Sequence, residues 1–132
     1  MAWNLPESGQ ALRLGEVIDR SPELIGHPVR VMARLESYDC VKQQAIVCSI
    51  EQHCNHRLVV DTRLIEPFAA RPGSLFQFLG EVDRAGNDQL VLRARVVRCV
   101  DGVDVAMYYK ALDVQRRFFK QRNQVEMHDV GT

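Results

Sequence analysis

Hydrophobic and polar residues alternate along most of this chain, and the alternation comes in five runs. From Val29 to Tyr38, the residues Val29, Val31, Ala33 and Leu35 point one way, and Arg30, Met32, Arg34, Glu36 and Tyr38 point the other. That is the period of a half-buried strand. Further strands are predicted over Gln44–Glu51, Arg57–Ile65, Ser74–Val82 and Gln89–Val100. Turn formers separate them at Asp39 to Lys42, at the HCNH tetrapeptide 53–56 and at DRAGND 83–88. Glu66-Pro67 ends the third run, because proline cannot donate to a ladder, and PFAARPGS leads on to the fourth. Before Val29, the residues Leu12, Leu14, Val17, Ile18, Leu24 and Ile25 suggest a short, partly buried segment interrupted by Gly15 and Ser21-Pro22.

The period changes at Asp101. Over 101–122, Met107, Tyr108, Ala111, Leu112, Gln115, Phe118 and Phe119 recur at spacings of three and four, which places them on one face of a long amphipathic helix. Asp101 or Asp104 can cap its start. Arg116, Arg117, Lys120 and Arg122 suit its end, where the dipole favours cations. Such a helix either closes its own domain's core or docks onto another chain, and its aromatic residues fit both roles. The polar stretch after Arg122 is expected to fray.

The layout is therefore an N-terminal extension with a short structured segment (1–28), a domain over 29–122 that includes the helix 101–122, and a flexible tail (123–132). The fold class is all-β with a C-terminal helix, and the architecture that fits is a single OB-fold, a five-stranded antiparallel barrel. The connector after the third strand is too short and proline-rich for the helix that an OB barrel often carries there, so a different small barrel or a sandwich stays open.

At 132 residues the chain suits one domain. Lys and Arg number 17, as do Asp and Glu, giving a formal net charge of zero, which argues against a strong autonomous nucleic-acid binder. No run approaches the roughly 18 apolar residues of a membrane span. The first residues lack a basic segment followed by an apolar one, so an intracellular chain with reduced cysteines is expected.

Cys40, Cys48, Cys54 and Cys99, with His53 and His56, show neither the CxxC nor the HxxxH spacing of a zinc site. No metal or other cofactor is expected. Cys54 beside His53 and His56 is a bare candidate for thiol chemistry, but no catalytic motif accompanies it, so no catalytic residue is assigned and an enzyme is not expected. Nucleic-acid contact has more material. Arg34 and Tyr38 lie on the outward row of the first strand, Arg57 and Arg63 on one face of the third, and Arg93 and Arg95 on one face of the fifth. Such rows either line a groove for single strands or keep a solvated sheet soluble.

The stretches VDTRLIEPFAARPGSLFQFLGEV, LVLRARVVRCVDGVDV and ALDVQRRFFKQ, with ARLESYD at 33–39, resemble the smallest subunit of CST, the heterotrimeric, replication-protein-A-like complex that binds telomeric single-stranded DNA. The motifs Leu64 to Phe68, Pro72 to Leu75, Leu79 to Glu81, Ala94 to Val96 and Cys99 to Gly102 carry the resemblance. It implies one OB domain paired with the OB-fold middle subunit of CST, with the terminal helix against that partner. Met107, Tyr108, Ala111, Leu112, Gln115, Phe118 and Phe119 would contact the partner, with Arg30 beside them. The resemblance further implies membership with the large CST subunit, weak binding of G-rich single strands alone, and engagement of DNA polymerase alpha–primase through the complex. Its setting would be the nucleus and chromosome ends, in telomere protection and replication. Val114 to Gln121 is one residue longer than the family pattern, which leaves open whether Phe118 or Phe119 faces the partner. The alternative function is an autonomous single-stranded nucleic-acid-binding OB module.

Overall fold

The computed structural model describes residues 9–51 and 55–130, with side chains as far as Phe118. In chain order the elements are β1 (Gln10–Leu12), α1 (Leu14–Asp19), α2 (Ser21–Leu24), β2 (Pro28–Asp39), β3 (Gln44–Cys48), β4 (Arg57–Asp61), β5 (Leu75–Arg84), β6 (Leu90–Cys99) and α3 (Val105–Val130). A 3-10 turn, Arg63–Ile65, follows β4. The chain divides into two units, one ending at Asp101 and the other beginning at Gly102.

Closure depends on the length of β2. Its first half, Pro28–Arg34, pairs antiparallel with β5, and its second half, Arg34–Asp39, pairs with β3. β3 pairs with β4 and β5 with β6, both antiparallel. A parallel pairing of Val59–Asp61 with Val91–Arg93 joins β4 to β6 and completes the ring. The result is the five-stranded OB-type barrel with a C-terminal helix. One of its five pairings is parallel, because β4 and β6 run the same way on either side of β5 in the sequence. β1 adds to β2 in parallel.

The barrel fills with the inward row of each strand, including Val29, Val31, Ala33, Leu35, Val47, Val60, Phe78, Leu92 and Ala94. Leu12, Leu14, Val17 and Leu24 belong to the same core, so the segment 10–24 is part of the folded body. Gly15 matters here, since a Cβ on it would come within 2.8 Å of the His56 ring.

Several boundaries differ from the periodicity. The third run stops at Asp61 because the Asp61 carboxylate accepts the Arg63 backbone N–H at 3.0 Å, a local bond that competes with the ladder. The second ends at Cys48. α3 begins at Val105, with Asp104 Oδ1 accepting the Met107 N–H at 3.0 Å as its cap. Asp101 instead accepts the Leu75 N–H at 2.7 Å and ties the end of β6 to the start of β5. The helix does not stop at Arg122 but runs to Val130, since nothing between Asn123 and Val130 is Gly or Pro.

Candidate partner and nucleic-acid interfaces

On α3 the side chains sort into two stripes. Tyr109 and Leu112 are buried and Val105, Tyr108, Asp113 and Arg116 are half-buried. A second stripe stays in solvent: Met107 is 65% exposed, Val114 51% and Phe118 59%, with Ala111 exposed between them. Steps of four, three and four make 107, 111, 114 and 118 a seam of the kind a second helix packs into. The sequence pattern merges the two stripes. Tyr108 and Leu112 lie on the buried side of the helix, Met107, Ala111 and Phe118 on the open seam, and Gln115 is exposed. Val114 completes the seam without belonging to the expected set, although its spacing from Ala111 and Phe118 is a signal that would find it. The Phe119 side chain lies outside the described residues.

Arg30, the other expected partner contact, is half-buried on β2. Its Nε is buried without a hydrogen-bond acceptor among the described residues. A buried N–H with no acceptor is costly, so this position would gain from a carbonyl or carboxylate.

The residues expected to meet nucleic acid are engaged with acceptors of their own chain. Arg57 Nε donates to both Glu36 oxygens at 3.0 and 2.8 Å, which raises the arginine's pKa. Arg63 donates from Nε and Nη2 to Asp61 at 3.1 and 2.7 Å. Burial pushes the Asp61 carboxyl up, but the side-chain and backbone hydrogen bonds from Arg63 outweigh it and the net shift is downward. Arg63 lies on the 3-10 turn, so it does not share a strand face with Arg57. Arg93 Nη2 is 3.1 Å from Asp83 Oδ2, and Arg95 pairs with Glu81. Arg34 Nη1 donates to the Gly73 carbonyl at 2.6 Å.

Tyr38 moves furthest from its expected place. The register of β2 against β3 shifts between Leu35 and Ser37, a bulge that resets the alternation. Tyr38 therefore leaves the outward row. Its ring packs edge-on against Phe68, with centroids 5.4 Å apart, and its hydroxyl donates to Glu66 Oε2. Thr62 Oγ1 donates to the same oxygen at 2.7 Å, and the Phe68 N–H to Oε1 at 2.9 Å. The Tyr38 bond, then the Thr62 bond, hold the Glu66 carboxyl below its usual value, and the Glu66 bond raises Tyr38. Phe68, Phe76 and Phe78 are buried. Among the described residues the barrel thus offers no exposed aromatic face on which a base could stack.

His53 and Cys54 lie outside the described residues. His56 Nδ1 is 3.5 Å from Ser49 Oγ, Cys40 and Cys99 are exposed, and Cys48 is half-buried. Among the described residues, no group of three His, Cys, Asp or Glu side chains could hold a metal, and no helix is long and apolar enough to cross a membrane.

A family model described as a telomere-capping CST complex subunit matches residues 5–122. The CST complex subunit TEN1 of Mus musculus is 34% identical over 121 residues, covering 91% of this chain and 74% of that protein. The human protein of the same name is 32% identical over 97 residues, covering 74% and 79%. Among solved structures, a chain of the S. pombe Stn1–Ten1 complex superposes with a TM-score of 0.66 at 12% identity, covering 85% of this chain and 95% of that one. The S. pombe telomere-capping protein Ten1 gives 0.65 at 13% identity, covering 83% and 99%. At those identities the structural likeness speaks for the fold.

Proposed function

This chain belongs to the TEN1 family of telomere-capping CST complex subunits, and from that premise we propose that it is a non-enzymatic assembly subunit that binds and stabilises the OB-fold middle subunit of CST. The exposed seam Met107, Ala111, Val114 and Phe118 carries the reading, because four apolar side chains at helix-packing spacing favour a helical partner. Arg30, with its unsatisfied Nε, contributes a polar contact. In S. pombe, Stn1 and Ten1 form a complex whose crystal structure is solved.

Through the assembled complex, with its large subunit, the chain supports telomere end protection, replication and fill-in by DNA polymerase alpha–primase. Its place is the nucleus, at chromosome ends. Its own contribution to single-stranded DNA is small, since Arg57, Arg63, Arg93 and Arg95 are paired with carboxylates of the chain itself and its net charge is zero. Co-expression with the middle subunit tests this. A stable one-to-one complex that Met107→Asp and Phe118→Asp disrupt is the expected result. A complex indifferent to both substitutions removes the seam from the interface, and a failure to associate removes the reading.

A further inference from the structure

The first member of the α3 seam is a thioether. The chain has four methionines. Met32 is 2% exposed and Met107 is 65% exposed, while the side chains of Met1 and Met127 lie outside the described residues. Asp104 Oδ1 accepts the Met107 N–H at 3.0 Å and fixes the residue in the first turn of the helix. Its neighbours one turn further on are Lys110 and Ala111, both exposed. The methyl group of Ala111 is too small to cover a side chain four residues away, so the sulfur stays open to dissolved reagents. Ala111, Val114 and Phe118 resist mild two-electron oxidants. Met107 is therefore the one oxidisable side chain of the seam.

A hydroperoxide reacts with such a sulfur by transferring one oxygen atom to its lone pair. The O–O bond breaks and an S–O bond forms. The sulfur gives up two electrons, and an alcohol leaves, or water in the case of hydrogen peroxide. A polar, chiral sulfoxide then stands where a flexible apolar side chain stood. In the free chain the change costs little, because the site is already in water. Against an apolar partner face the sulfoxide oxygen must give up its hydration, and burying a polar group without a partner cuts affinity about tenfold or more.

We propose that Met107 is a reversible oxidation site, at which a hydroperoxide converts the free chain to a sulfoxide form that no longer docks its α3 seam, while docking shields the thioether from the same reagent. The inference rests on the docking of the seam proposed above and adds its regulation. Methionine suits a seam of this kind, because its soft, adaptable side chain fits a partner surface well and its sulfoxide does not. Chain already assembled keeps its methionine, and chain not yet assembled is held back until the sulfoxide is reduced. Cys40 and Cys99 are exposed thiols, but neither belongs to the seam.

The test treats the full-length chain with hydrogen peroxide, removes the excess with catalase and reduces disulfides with dithiothreitol. Peptide mass spectrometry locates the sulfoxides, and calorimetry reads the affinity for the middle subunit before and after treatment. Met107 is expected to oxidise well ahead of Met32, and the affinity to fall about tenfold. Methionine sulfoxide reductases, one for each epimer, restore it. Met107→Leu has its own starting affinity, and the same treatment leaves that value where it was. With the middle subunit at about ten times the dissociation constant, oxidation of Met107 slows about tenfold. The proposal is overturned if Met107 oxidises no faster than Met32, if the oxidised chain binds as the untreated chain does, or if the complex gives no protection. An equal loss in Met107→Leu overturns it in favour of a cysteine or another methionine. An untreated chain that does not bind the middle subunit removes the docking reading itself, and this inference with it.

Discussion

Arg93 lies 3.1 Å from Asp83, and Arg95 pairs with Glu81. These side chains are largely exposed, and exposed ion pairs contribute little to stability, typically about 0–1 kcal/mol. Their consequence is for charge, because a paired arginine presents little net field to a phosphate. Replacing the acids with Glu81→Gln and Asp83→Asn is expected to leave the fold intact and to shift the net charge from 0 (17 basic, 17 acidic) by two positive units. Affinity for single strands rises, and each arginine that then meets a phosphate steepens the log K against log salt slope by about 0.7. A slope that stays flat in fluorescence anisotropy at several salt concentrations would show that this face does not meet DNA. The Tyr38 hydroxyl acts on a different property. It holds the Glu66 carboxyl below its ordinary value of 4.5, and a carboxyl with a depressed folded pKa stabilises the fold above its unfolded pKa and loses that contribution as pH falls through the folded one. Tyr38→Phe keeps the ring on Phe68 and deletes this bond. The variant is expected to be less stable at pH 7, and the gap to the parent in urea denaturation narrows as pH drops below 4.5. A gap independent of acid pH would detach the hydroxyl from Glu66.

At the scale of elements, the bulges decide which side chains serve the core and which remain outside. The register of β5 against β6 shifts between Leu79 and Gly80, and a Cβ at Gly80 would overlap the Arg93 carbonyl oxygen. Gly80→Ala is therefore expected to cost about 1–3 kcal/mol, read as a lower denaturant midpoint, and an unchanged midpoint would mean the two strands can separate there. Strand existence was legible because alternation is local: Val29, Val31, Ala33 and Leu35 are all buried as their period requires. Tyr38 was not legible as a core-packing residue, because a one-residue bulge reverses the alternation without a local sequence signal. The acceptors of the arginines were equally hidden. Glu36 reaches Arg57 across the intervening β3, and Glu81 meets Arg95 on the neighbouring strand, both through a register that periodicity does not supply. On α3 the spacing predicts an apolar helix but not its division, since apolar residues cover more than one stripe and only burial separates Tyr109 and Leu112 from Met107 and Phe118. Hence Phe118→Ala should weaken binding of the middle subunit by about 2 kcal/mol and cost the chain alone less than that in stability, whereas a comparable loss of stability in isolation would reassign Phe118 to the chain's own fold.

For the whole molecule the zero net charge, the internally paired arginines and the buried phenylalanines point the same way. Non-specific affinity for a single strand grows with the number of phosphates neutralised and counterions released, and stacking adds to it only where an aromatic face is open. Among the described residues Arg57, Arg63, Arg93 and Arg95 are neutralised by carboxylates and no such face is open, while the long helix keeps an apolar seam in water. Burying that seam is favourable at roughly 25 cal/mol per Å² of apolar surface, and the drive to associate is then toward a protein partner rather than DNA. The chain alone is therefore expected to bind a G-rich single strand at physiological salt no more tightly than the roughly 10⁻⁴–10⁻⁶ M of non-specific binders. Its complex with the middle subunit should bind more tightly than either chain. Anisotropy titrations of the chain, the partner and the pair decide it. Sub-micromolar binding by the chain alone, with a steep salt slope, would mean that the paired arginines exchange their carboxylates for phosphates and would establish an autonomous single-strand module.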